Sequence, residues 1–75
     1  SVKLYPNPAQ DYILISSPSN SLEQIDILDM KGRQVQSFSA NGFMQEINTS
    51  SLDKGFYLVR IHTDKGIENL KLQLQ

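Results

Sequence analysis

The chain has no cysteine, no tryptophan and a single histidine. Without cysteine there is no disulfide framework, no thiolate metal site and no thiol nucleophile. This absence leaves the compartment open, because a well-packed β-sandwich can hold without covalent staples. No apolar run approaches the roughly 20 residues that a helix needs to cross a bilayer. Neither sign of charge is in excess. Seven Lys and Arg stand against eight Asp and Glu, for a net charge of −1. The basic residues are scattered and form no stripe, which argues against nucleic acid and against an anionic membrane surface. No signal peptide is visible and the first residue is Ser1, so the chain is expected to be part of a longer protein. Its 75 residues make one domain, residues 1–75. A domain of this size buries about 60–65% of the surface its unfolded chain exposes, which leaves little room for a deep catalytic pocket beside the core.

What is present is alternation. Short runs of β-branched and aromatic residues alternate with polar ones and are separated by Gly, Pro, Asn, Asp and Ser. The pattern predicts seven strands: Val2–Tyr5, Tyr12–Ser16, Gln24–Leu28, Arg33–Phe38, Met44–Asn48, Phe56–Thr63 and Ile67–Leu74. No window has helical spacing. The predicted fold is all-β, a seven-stranded antiparallel Ig-like β-sandwich.

The turns can be argued from residue chemistry. Lys31-Gly32 and Lys65-Gly66 each place a glycine where a tight hairpin needs positive φ. In the second hairpin, Ile61 opposite Leu70 puts Val59 against Leu72 and Tyr57 against Leu74 on one face. That pairing asks for a two- or four-residue loop, and a one-residue slip would turn Asn69 and Lys71 inward. In the first hairpin, Ile27 opposite Val35 favours a three-residue loop with Gly32 at the bulge. Pro6-Asn7-Pro8 lacks two backbone donors, so it is expected to form a rigid turn carrying the chain from one sheet to the other. Leu52-Asp53-Lys54-Gly55-Phe56-Tyr57 reads as the corner before a late sandwich strand, with the Tyr57 hydroxyl bonding back to upstream backbone.

Candidate chemistry is sparse. His62 is expected on a strand surface, and no Ser-His-Asp set assembles around it. The carboxylates are spread along the chain without calcium-loop spacing. Asp11, Asp29, Asp53 and Asp64 lie at turns, where they are expected to bond local backbone. Phe56, Leu58, Arg60 and His62 share the outer face of their strand and read as ordinary exposed residues. Asn48-Thr49-Ser50 fits a glycosylation pattern but more simply forms a loop. There is no phosphate loop, nucleophile elbow or acid/base pair, so the chain is read as no enzyme, with no cofactor and no metal site.

Four segments then stand out in order. Leu4-Tyr5-Pro6-Asn7-Pro8-Ala9 resembles a "Y-P-N-P" opening element. Ile25-Asp26-Ile27-Leu28-Asp29-Met30-Lys31-Gly32-Arg33-Gln34-Val35 resembles an "I-x-D-x-x-G-R-x-V" hairpin. Leu52-Asp53-Lys54-Gly55-Phe56-Tyr57-Leu58-Val59-Arg60-Ile61 resembles an "L-x-x-G-x-Y-x-V-x-I" element, and Gly66 to Gln75 a terminal strand. Together they resemble the C-terminal sorting domain of the type IX secretion system, found on cargo proteins of Bacteroidetes. The resemblance implies an Ig-like sandwich at the end of a larger exported protein. It implies passage through the periplasm to an outer-membrane translocon, with a secreted or cell-surface destination. It also implies removal by a sortase-like peptidase acting before the domain, near or upstream of Ser1. The partners expected are the translocon, the peptidase and a fused N-terminal cargo domain, with no nucleic acid and no membrane insertion. The domain is expected to be a monomer.

Mapped onto this sequence, the recognition residues are Pro6, Asn7, Pro8, Gly32, Arg33, Gly55, Tyr57, Lys71, Leu72, Gln73, Leu74 and Gln75. The last strand is expected to offer a free edge, with Asn69, Lys71, Gln73 and Gln75 outward, to which a partner could add a strand. The alternative is an Ig-like structural or carbohydrate-binding module on a surface enzyme or adhesin. Against it stand only three Tyr and three Phe, several of them expected to be buried.

Overall fold

The computed structural model describes residues 1–75. Seven strands run in the order β1 (Lys3–Tyr5), β2 (Tyr12–Ser16), β3 (Leu22–Asp29), β4 (Gln34–Ser39), β5 (Met44–Asn48), β6 (Gly55–Thr63) and β7 (Gly66–Leu74). They form two antiparallel sheets, β1-β2-β5 and β4-β3-β6-β7, consistent with an Ig-like sandwich. The predicted strands are all present; β2 and β5 have the predicted ends, and the others differ by one or two residues at one end or both.

The core follows from alternation. Ile13, Ile15 and Ile47 from the first sheet meet Ile25, Ile27, Val59, Ile61 and Leu72 from the second, and all are essentially inaccessible to water. Branched side chains suit this pleated interface, where β2 and β6 bury every second residue. The phase breaks once in β3: Leu22 points inward at an even position, Ile25 and Ile27 at odd ones. An irregularity between Leu22 and Gln24 absorbs the extra residue, so all three reach the core.

The hairpin β3–β4 closes over three residues, Met30-Lys31-Gly32, as the sequence predicted. Gly32 N–H donates to the Asp29 carbonyl at 3.0 Å, and Gly32 adopts φ of +87°. A side chain there would be strained, which explains the glycine. The pairing beyond the turn differs from expectation. Ile27 faces Gln36 and Leu28 faces Gln34, so Val35 is the extra residue of a bulge and is 40% exposed.

The hairpin β6–β7 also departs from the predicted register, by two residues. Tyr57 faces Leu72, Val59 faces Leu70 and Thr63 faces Gly66 across a two-residue turn, Asp64-Lys65. A shift of two keeps every side chain on the same face, so the apolar row alone could not choose between the registers. Local bonds favour the observed turn. Thr63 Oγ1 accepts from Lys65 N–H and donates to the Gly66 carbonyl, both at 3.2 Å, while Asp64 ties to Ser21 through two backbone-directed bonds.

These registers make a contrast. Ile27→Ala opens a cavity in the sealed core and is expected to cost about 2–5 kcal/mol in urea unfolding. Val35→Ala, at the exposed bulge, is expected to change stability by less than about 0.5 kcal/mol. Comparable losses for both would contradict the observed pairing.

Candidate functional site

The four motif segments converge on one end of the sandwich. Asp29, Tyr57 and Leu72 lie side by side across β3, β6 and β7, and Gly55 lies opposite Leu74. The Met30-Lys31-Gly32 turn, the Gly55 corner, the loop before β2 and the end of β7 therefore share a pole. Ser1 lies at the opposite pole, because β1 enters beside Ser16, where β2 finishes.

Each motif builds its part of this pole through a specific contact. Asp29 Oδ1 accepts from the backbone N–H of Lys31 and of Arg33, both at 2.9 Å, and Oδ2 accepts from Arg33 Nε at 2.9 Å. These contacts, led by the Arg33 N–H, hold the Asp29 carboxyl below its ordinary value. The Tyr57 hydroxyl donates to the Asp53 carbonyl at 2.6 Å, the bond-back expected at this corner, and its ring joins the core. Burial, and then the charges of Asp53 and Asp29, push the Tyr57 phenol above its ordinary value.

The end of β7 is held by a clamp the sequence did not reveal. Asn7 Nδ2 donates to the Lys71 carbonyl at 2.8 Å, and Asn7 Oδ1 accepts from Gln73 N–H at 3.0 Å. The side-chain amide stands where a neighbouring strand's peptide group would. Ala9 continues the seal: its N–H donates to the Gln73 carbonyl at 2.9 Å, and its carbonyl accepts from Gln75 N–H at 2.8 Å. Two corrections follow. Pro6-Asn7-Pro8 does not transfer the chain between sheets, since β1 and β2 share one; the loop reaches across to β7 and returns. The edge over Lys71–Gln75 is also not free, so strand addition there is blocked by groups already bonded. Strand edge outside the clamp remains over Ile67 and Asn69.

Side chains at the pole remain available. Lys71 rests over the Phe56 ring, its Nζ 4.7 Å from the centroid, on the outer face of the four-stranded sheet. The Arg33 side chain is 75% exposed, so its ion pair with Asp29 contributes little stability. Phe56 is exposed and Leu58 half-buried, in keeping with an ordinary outer face. Of the four turn aspartates, Asp29 bonds local backbone and Asp64 bonds Ser21, whereas the Asp11 and Asp53 carboxylates bond no backbone group.

One cluster was missed from sequence. Asp26 is buried on the outer face of β3, where its carboxylate accepts from Gln24 Nε2 at 2.9 Å, from Ser37 Oγ at 2.7 Å and from His62 Nε2 at 2.8 Å. Burial pushes this carboxyl up, but the three hydrogen bonds outweigh it and hold it below the ordinary 3.8. Ser37 donates to the aspartate rather than to the imidazole, so the nucleophile–base contact of a hydrolase is not formed. Only the register of β3 with β4 and β6 brings these residues together. No cluster of three metal-binding side chains occurs, and no helix could cross a membrane.

The sequence model of the family described as "Secretion system C-terminal sorting domain" matches residues 3–75. The chain belongs to this family, the C-terminal sorting domain of type IX secretion cargo. No curated protein sequence matches it.

The Asp26 cluster has a pH signature. Its folded value lies below the unfolded one, so its stabilisation is complete well above 3.8 and is lost as the pH falls through the folded value. Thermal unfolding is expected at progressively lower temperature on acidification below about pH 4. Asp26→Asn should be less stable at pH 7 and should show a shallower acid slope. An unchanged slope would contradict the assignment.

Proposed function

We propose that the C-terminal signal for export across the outer membrane, which membership of the sorting-domain family implies, is the folded pole itself. Asn7 clamps the last strand, and Pro6 and Pro8 stiffen the loop that carries it. Gly32, Gly55 and Tyr57 shape the neighbouring turns. Leu72 and Leu74 anchor β7 in the core. Arg33, Lys71, Gln73 and Gln75 then supply the side chains that a translocon component reads. Recognition goes through this side-chain surface rather than through a strand added along Lys71–Gln75. A sortase-like peptidase removes the domain from its cargo by cutting before it.

The observation that supports this reading most is the convergence of four separated motif segments on one end of a domain only 30 × 22 × 18 Å across. A pole opposite Ser1 also points away from whatever is fused ahead of the domain. The family is a non-catalytic signal.

A fluorescent protein fused ahead of this domain tests the proposal. It should reach the surface or medium of type IX-competent Bacteroidetes cells and stay in the periplasm of secretion-deficient ones. Deleting Lys71–Gln75 should block export. That deletion also removes Leu72 and Leu74 from the core, so Arg33→Ala with Lys71→Ala is the companion variant, both side chains being exposed. Reduced export of the folded double variant is expected. Undiminished export of both variants would refute the pole as the signal. Exported cargo that retained the domain would refute its removal.

A further inference from the structure

Beside the clamp lies an open groove of about 290 Å³, lined by Pro6, Pro8, Gln10, Asp11, Tyr12 and Gln75. Three rings form apolar walls, and one carboxylate and two carboxamides supply hydrogen-bonding groups. No Lys or Arg lines it. The Asp11 carboxylate forms neither of the chain's two ion pairs and bonds no other side chain.

The Tyr12 wall belongs to the outer face of the three-stranded sheet, where Tyr5 lines a separate depression together with Lys3 and Lys71. Ile13 and Ile15 point into the core, so Tyr12 and Leu14 point out. Leu4 packs inward, so Tyr5 also points out. Tyr5 lies opposite Leu14, which makes Tyr5 and Tyr12 diagonal neighbours on adjacent strands. Such neighbours lie about 7–8 Å apart. Tyr5 is 40% and Tyr12 46% exposed. Of the six aromatic side chains only Tyr57 is buried, so the expectation that several would be hidden is overturned.

We propose that this groove, with its Tyr12 wall, binds a neutral saccharide. A pyranose presents a C–H face that packs on tyrosine and proline rings, and an equatorial rim of hydroxyls. The hydroxyls can donate to the Asp11 carboxylate and exchange hydrogen bonds with the amides of Gln10 and Gln75. Ring walls with a few convergent polar groups are the usual make-up of a small-ligand site. The unpaired carboxylate and the missing cation disfavour phosphate, sulfate and acidic sugars. The walls are held in place before any ligand arrives: Ala9 is bonded on both sides to β7, and the Asp11 carbonyl accepts from Thr49 N–H at 2.8 Å. Preorganisation of this kind lowers the cost of binding. A basic peptide side chain could use Asp11 and Tyr12, but it would leave both prolines and both glutamines without a role. The proposal does not depend on the sorting role of the pole.

The test titrates the ¹⁵N-labelled 75-residue chain separately with maltohexaose, cellohexaose, mannohexaose and hexa-arginine. At least one of the saccharides should shift the amide signals of Gln10, Asp11, Tyr12 and Gln75 saturably, with a dissociation constant of about 1 mM or tighter. Tyr12→Ala, at an exposed position, should keep the dispersed spectrum of the fold and weaken that binding about tenfold or more. Tyr12→Phe should retain it within about twofold. Three results would overturn the proposal: no saturable shift with any of the three saccharides at about 10 mM, unchanged affinity in Tyr12→Ala, or shifts produced by hexa-arginine alone.

Discussion

The side-chain amide of Asn7 takes the place of a missing strand, and the rest of the pole depends on it. A sandwich built of open sheets leaves edge strands with unpaired peptide groups, which invite association with other chains. Here β7 is such an edge strand. Asn7 and Ala9 supply four hydrogen bonds along its outer side, from the Lys71 carbonyl to Gln75 N–H. On its inner side, Leu72 and Leu74 are buried in the core. The terminal strand is thus held by packing on one side and by a loop on the other. The same loop carries Asp11 to the groove and leads directly into Tyr12 of β2, so clamp and groove share one support.

Under the proposed reading, this arrangement turns a sequence signal into a shape. Residues separated by most of the chain length, Asn7 and Gln73 among them, become neighbours only after folding. A receptor that reads the pole therefore reads the folded state, and a misfolded tail would present no coherent surface. The opposite placement of Ser1 leaves the pole clear of a preceding domain. Charge plays a minor part in the frame. The Asp29–Arg33 pair is exposed and weak, and the contacts that shape its hairpin are backbone bonds to the Asp29 carboxylate.

Much of the fold was legible because alternation and turn chemistry agree with each other. The seven strands, the three-residue Gly32 turn and the Tyr57 corner all came from local pattern. The losses share a cause: each was decided by contacts distant in sequence or by a two-residue ambiguity. A shift of two residues leaves every face intact, so the β6–β7 register rested on the bonds of Thr63 and Asp64 rather than on hydrophobicity. The bulge at Val35 is invisible to a period-two reading. Asp26 and His62 are 36 positions apart and meet through β3–β6 pairing. The motif comparison found Pro6, Asn7, Pro8 and the terminal strand separately. It could not show that the asparagine amide closes the very edge that had been expected to stand open.

Residue-resolved amide hydrogen exchange of the native chain tests the clamp most directly. Gln73 and Gln75 N–H point away from β6, and only Asn7 and Ala9 can protect them. Both should exchange with protection close to that of the core amides, through near-global opening. Exchange at the rate of a solvent-exposed edge, with the β6-facing amides of β7 still protected, would show that the clamp does not hold the terminal strand.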